Sequence, residues 1–311
     1  MNKLLKNEAV KHGDKLQIIP SHRIADLKND IEAFARSEEL NGFQKWIVNS
    51  LYSYDIPHMN FTVQSVILIA LSHPFYADVI FKSNGKEYSG KCLVLSDFDG
   101  ADEYLKTFLE GFGYHAVRAG NLPLKRLGVQ SGLSEYGRNN ITYIDGMGSN
   151  FSLAAYFSDM PCEEDMWRQT VTAKLCDSCR VCINKCPTGA IRSERFLIDN
   201  QMCLSAMNET AGDFPGWLPV SVHHTFYDCL KCQEHCPMNI GHTDKMDRCF
   251  VFSERETGML LQGEPIESFP ESMKQKIYKL SLDKWYPAIP RNIRMLMNIS
   301  DGEDNARKIR R

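Results

Sequence analysis

The chain has 311 residues, 43% of them hydrophobic, and a formal net charge of −3. That length suits one large or two ordinary domains whose cores need no disulfide staples, and a mildly acidic balance does not describe a surface dedicated to a polyanion. Charged residues (Lys3, Lys6, Glu8, Lys11) stand where an export signal needs an apolar run, and the longest apolar run, Val66 to Leu71, is too short to span a bilayer. The expectation is a cytoplasmic protein without a membrane partner.

Residues 1 to 20 carry no clear period and read as a strand or an arm. From Ser21, a candidate N-cap, Ile24, Leu27, Ile31 and Phe34 fall three and four apart and predict one apolar helical stripe. Phe43, Trp46, Ile47 and Leu51 continue in helical register, and such aromatics are expected in a core. Gln64 to Ser72 is apolar on both faces, which suits a central strand covered by helices, and Lys91 to Ser96 reads as another strand. Asp99 is a candidate cap for a helix from Ala101 to Phe112 that Gly113 ends. A strand at Tyr114 to Arg118, a helix at Leu122 to Gln130 and strands at Ile141 to Ile144 and Ser152 to Phe157 complete an α/β pattern.

Between the last helix and strand lies a block rich in glycine, Ser131-Gly132-Leu133-Ser134-Glu135-Tyr136-Gly137-Arg138-Asn139-Asn140-Ile141-Thr142-Tyr143, followed by Gly146-Met147-Gly148-Ser149-Asn150. Its glycines imply tight turns or close backbone approach. It matches neither a P-loop nor a dinucleotide fingerprint.

Cysteine carries the strongest signal. Cys176, Cys179, Cys182 and Cys186, the last followed by Pro187, have the CxxCxxCxxxCP spacing of a loop that gives three thiolates to one 4Fe-4S cluster and the fourth to its neighbour. Cys229, Cys232, Cys236 and Pro237 repeat the end of that run, with Phe226 where a first cysteine would stand. Cys203, upstream with no other cysteine between, is the substitute. The crossed arrangement predicts one cluster on Cys176, Cys179, Cys182 and Cys236 and another on Cys186, Cys203, Cys229 and Cys232. Cys92, Cys162 and Cys249 stay outside. Zinc, which favours paired CxxC turns, and a disulfide framework, which belongs to small secreted domains, are the alternatives. Further on, Ser253 to Leu261 and Glu271 to Leu280 predict helices, Trp285, Tyr286, Ile289 and Ile293 predict packing onto the body, and Arg307 to Arg311 form a basic tail.

The displaced-cysteine pattern, preceded by the glycine block and an α/β layer, resembles the epoxyqueuosine reductases and, more distantly, the corrinoid reductive dehalogenases, over residues 60 to 240. Where that family has AGLGWIGKNTxLI and GSW, this chain has SGLSEYGRNNITYI and GSN, keeping Gly132, Leu133, Gly137, Asn139, Gly148 and Ser149. The resemblance implies an α/β (α+β) fold. A nitroreductase-like domain at 1–165 would be followed by a ferredoxin-like double 4Fe-4S domain at 166–245 and a short helical C-terminal extension at 246–311.

It also implies a cobalamin in a cavity at Gly132, Gly137, Asn139, Gly148 and Ser149, and an electron donor of ferredoxin or flavodoxin type. The family's proton-donating aspartate falls at Arg118, which cannot act as a general acid near neutral pH. The expectation is therefore an iron–sulfur oxidoreductase that passes low-potential electrons to a corrinoid or a small-molecule substrate, with tRNA not expected as a partner, Tyr136 beside Arg138 as the catalytic pair and Tyr143 as a further candidate. A non-catalytic electron-transfer protein is the alternative function, and an epoxyqueuosine reductase acting on tRNA is the second alternative.

Overall fold

The computed structural model describes residues 1–309 other than Leu95, with side chains described to residue 300. The strand expectation at Leu95 and the side chains of the basic tail lie outside the described residues. Among those described, no helix is long and apolar enough to cross a membrane.

The chain begins with a helix, α1 (Asn2–Lys11), where its sequence reads as strand or arm. The helix has no side-chain cap and is held by burial of Leu5 and Ala9, so packing overrides weak local signals. After β1 (Lys15–Pro20), α2 (Arg23–Ser37) buries Ile24, Leu27 and Ile31 as the stripe predicts. Ser21 does not cap it; its hydroxyl donates to the Val63 carbonyl at 3.2 Å. A capping box of Asn41 and Gln44 opens α3 (Gly42–Trp46), which continues into a π-helical turn at Ile47–Leu51. No residue of either piece is buried, and Phe43 and Trp46 are 52% and 50% exposed, against the expectation of core aromatics.

Then come β2 (Ser65–Ser72), β3 (Ala77–Ser83), β4 (Lys86–Cys92), α4 (Phe98–Glu110), β5 (Ala116–Arg118), α5 (Leu124–Gln130), β6 (Glu135–Tyr136), β7 (Thr142–Tyr143) and β8 (Phe151–Ser158). The main sheet runs β1-β2-β8-β5 and every pairing is antiparallel. Alternation of helices with strands therefore gives a mixed α/β layer without a parallel sheet. β2 is central and apolar on both faces. Leu5, Leu105 and Leu109 cover Ile67 and Ile69 on one side, and Leu27 and Leu127 cover Val66 and Leu68 on the other.

Two local expectations shift. Asp97, not Asp99, caps α4 by accepting from the Gly100 N–H at 3.0 Å, while Gly113 closes its end at φ 78°. The strand expected at Lys91 to Ser96 ends at Cys92 and belongs to the β3–β4 hairpin, whose turn residues Asn84 and Gly85 both have positive φ.

The cysteine region is built of loops and short helices, among them α6 (Val181–Lys185), α7 (Leu204–Glu209) and α8 (Lys231–Glu234). Beyond it, β9 (Phe250–Phe252) pairs in parallel with β3, and α9 (Glu254–Gln262), α10 (Glu271–Lys279) and α11 (Ile289–Ile309) follow. These elements share a core with the hairpin: Phe81 and Tyr88 pack with Phe226, Tyr227, Phe252 and Ile293. The segment after residue 246 thus packs, with Phe226 and Tyr227, on the apolar face of the hairpin.

The glycine block meets the cysteine loops at one tight contact. Gly148 has φ 60°, and a Cβ there would collide with the Asn239 amide oxygen. That oxygen accepts the Ser149 N–H at 2.7 Å, the Asn239 amide donates to Ser149 Oγ at 2.8 Å, and the same hydroxyl donates to Gln233 Oε1 at 2.8 Å. Asn239 is fully buried.

Replacing Phe252 with alanine is expected to destabilise the protein by about 3–5 kcal/mol in denaturant titration, the usual cost of emptying a buried phenylalanine site. Gly148→Ala is expected to cost about 1–3 kcal/mol through backbone strain and displacement of Asn239, measured in the same way.

Candidate metal centre

All eleven cysteines are free. Cys176 lies on a 3-10 turn at Lys174–Cys176, Cys182 on α6, Cys203 at the start of α7 and Cys232 on α8. Arg138 secures the first loop by donating to the Cys176 carbonyl at 2.6 Å. The charges of Cys176, Cys179 and Cys182 act on one another and on Cys236, and those of Cys203, Cys229, Cys232 and Cys186 form a second interacting set. Cys176, Cys179, Cys182 and Cys236 thus lie within electrostatic reach of one another, as do Cys186, Cys203, Cys229 and Cys232. Among the described residues no three His, Cys, Asp or Glu side chains converge as a single-ion site.

The electrostatics suit a polynuclear cation. Burial first pushes the thiols of Cys176, Cys203 and Cys232 upward, and it carries Cys182 to about 11 and Cys229 to about 12; neighbouring cysteines add to the rise. Four thiolates cannot coexist in either group without positive charge between them, and iron in a cubane supplies it. Cys92 is instead wholly buried with its Sγ 3.6 Å from the Leu280 carbonyl, Cys162 sits under the Ile18 and Glu164 carbonyls, and Cys249 is exposed.

A small network lies between the two groups. Asn139 Nδ2 donates to the Tyr143 hydroxyl at 2.8 Å and to the Cys232 carbonyl at 3.4 Å. Burial raises the Tyr143 phenol, and Cys236 of one group and Cys232 of the other both act on it. Gly137 leaves room for this pair, since a Cβ there would stand 2.6 Å from both Asn139 Oδ1 and Tyr143 Cε2. Asn239, Gln233 and the reach of Asn139 to the Cys232 carbonyl had no spacing signal in the sequence, because each acts through a contact between distant segments.

Tyr136 and Arg138 do not form a pair at one site. Arg138 holds loop carbonyls at Cys176 and Ser193, whereas Tyr136 is buried with its ring edge-on to Phe196 at 5.0 Å. The cation near Tyr136 is Arg126, 5.9 Å from its ring centre, paired with Asp30 at 3.2 Å. Tyr136 and Arg126 line a cavity of about 310 Å³ with Lys125, Phe43 and Phe196. Gly132 borders a different cavity of about 550 Å³, and Ser149 a third of about 360 Å³. Arg118 sits on β5, 3.3 Å from Asp102 and 4.9 Å from the Phe98 ring centre, so its charge is satisfied on α4.

Residues 175–239 match the family described as a 4Fe-4S double cluster binding domain. The epoxyqueuosine reductase of Bacillus subtilis is 27% identical over 158 residues, 50% of this chain and 39% of that protein. That of Pseudomonas aeruginosa is 30% identical over 213 residues, covering 63% of this chain and 57% of the relative. The chain's matches thus span from about two fifths to under two thirds of these relatives' length. A crystal structure of epoxyqueuosine reductase with a tRNA-Tyr epoxyqueuosine-modified stem loop superimposes with a TM-score of 0.63, covering 96% of this chain and 82% of that one at 20% identity. The Bacillus subtilis structure, with its catalytic aspartate loop swung out of the active site, gives 0.61 over 96% and 82% at 19% identity.

These matches correct the expectation that tRNA is no partner, since the proteins this chain resembles are epoxyqueuosine reductases and one was solved on a tRNA stem loop. Net charge is a global sum and does not report a local surface. The chain is an iron–sulfur relative of the epoxyqueuosine reductases, with a 4Fe-4S double cluster binding domain at residues 175–239.

Proposed function

We propose that this protein is a reductase that passes electrons through two 4Fe-4S clusters to a substrate carried on tRNA. The observation that carries the reading is the match of residues 175–239 to a 4Fe-4S double cluster binding domain, supported by two sets of thiols whose charges act on one another. Cys176, Cys179, Cys182 and Cys236 would hold one cluster, and Cys186, Cys203, Cys229 and Cys232 the other. When bound, the clusters supply one-electron steps at potentials set by burial, charge and hydrogen bonds to sulfur. Arg138 holds the first loop in place, the Gly148–Asn239 contact fixes the loops against the layer, and Asn139 orients Tyr143 between the groups.

The tRNA part rests on the likeness to epoxyqueuosine reductases. The layer, nitroreductase-like by resemblance, would carry the substrate, a low-potential ferredoxin or flavodoxin would supply electrons, and free thiols suit a reducing cytoplasm. The residues the resemblance assigns to a corrinoid do not line one cavity and do not fit that group: Gly148 and Ser149 are engaged with Asn239 and Gln233, and Gly137 and Asn139 with Tyr143.

Anaerobic reconstitution should give a brown protein with close to eight irons per chain, four for each cluster. Cys203→Ala should retain about half of that iron; colourless protein loaded with zinc, or full iron in the variant, would contradict the assignment. A labelled tRNA anticodon stem loop should bind in fluorescence anisotropy with an affinity that falls as salt rises, and no binding at low salt removes the tRNA part. Tyr143→Phe should lower one cluster's midpoint potential in an EPR-monitored titration by about 20–60 mV, the equivalent of a hydrogen bond of about 0.5–1.5 kcal/mol in a one-electron step.

A further inference from the structure

The half-exposed aromatics of α3 have no structural task that accounts for them. Phe43 and Trp46 stack on each other at 5.8 Å with ring planes 24° apart, and about half of each side chain faces solvent. The helix that presents them is firmly placed. Its capping box is closed, Asn41 donates to the Asn200 side chain, and Gln44 donates to the Ile198 carbonyl at 3.3 Å. A π-helical turn, a form that recurs at functional sites, follows immediately.

Phe43 also borders two cavities. One, of about 310 Å³, holds Lys125 and Arg126; the other, of about 450 Å³, holds Arg291 and Phe214, and both are lined by Phe43 and Asn200. Together their linings carry three cations against one carboxylate, Asp213. Each cavity has a further π surface set against a cation: Arg126 lies 4.6 Å from the Phe34 ring centre and Arg291 lies 3.7 Å from that of Phe214. Trp217 adds another half-exposed ring, 51% accessible, near the second cavity's Pro215.

We infer that this face binds unpaired nucleobases of single-stranded RNA, two successive bases lodging on either side of Phe43 with Trp46 extending the stack. Proteins hold single-stranded nucleic acid by stacking bases on aromatic or guanidinium planes inside a basic groove. Neighbouring cavities that share the Phe43 ring, with cations in their linings, supply that combination, whereas a groove for an apolar peptide would have no use for Lys125, Arg126 and Arg291. The inference rests on the tRNA reading above and adds the surface that would receive a loop.

The test is fluorescence anisotropy with the full-length reconstituted protein, a labelled tRNA anticodon stem loop and a fully paired RNA hairpin of equal length. Phe43→Ala and Trp46→Ala should each weaken stem-loop binding roughly tenfold, leave duplex binding and the salt slope unchanged, and retain iron content and melting temperature. Phe43→Tyr should restore the affinity. If the wild type binds neither RNA, the tRNA reading fails and takes this inference with it. If the wild type binds the stem loop and both alanine variants bind it equally well, the inference alone is overturned. It is also overturned if sedimentation shows a wild-type dimer that the variants abolish, for the face is then a contact between copies.

Discussion

A buried thiol does not readily give up its proton, and eight of them set against one layer cannot all ionise unless cations sit among them. The structure around the cysteines follows from that constraint. Cluster loops have little regular structure of their own, because four ligands must come from a short stretch of backbone at fixed separations. What they lack in internal hydrogen bonding they take from a wall. Arg138 ties the first loop through a main-chain carbonyl, Asn239 ties the second to Ser149, and Gly148 permits the approach by having no Cβ.

The wall is the antiparallel sheet with helices on both faces, and the C-terminal segment packs on the β3–β4 hairpin. Residues of β9 and α11 meet the β3–β4 hairpin across Phe226 and Tyr227, which immediately precede the second cysteine run. Phe226 stands where the repeat pattern leaves out a cysteine, and its ring packs edge-on against Phe81 at 5.3 Å. A core side chain thus fills that position, and in the proposed assignment Cys203 on another turn would supply the missing thiol. The cysteine region and the layer are joined parts of one packed body, so a change in either is felt by the loops between them.

The resemblance to epoxyqueuosine reductases and the departures from them are reconciled by locality. Arg118 at the position of the family's aspartate is engaged with Asp102 and the Phe98 ring, so it says little about the surface a nucleic acid would meet. The whole-chain charge says equally little, because it is a global sum and does not report the local surface, where Lys125, Arg126 and Arg291 line the cavities beside Phe43. Arg126, buried beside Tyr136, takes the place that sequence proximity suggested for Arg138.

The sequence by itself determined the cysteine pattern, the doubly apolar β2, the stripe of α2 and the helix over Ser253 to Leu261, each encoded along a short stretch where neighbours in sequence are neighbours in space. Helix α1, the β3–β4 hairpin's union with β9, and the exposure of Phe43 and Trp46 were decided by tertiary structure. The first has no local cap, the second joins segments far apart in the chain, and the third depends on there being no apolar partner opposite. The same holds within the candidate metal centre: thiol spacing is local and readable, whereas the Gly148–Asn239 contact and the reach of Asn139 to the Cys232 carbonyl exist only once distant loops meet, which no period or motif in one segment records.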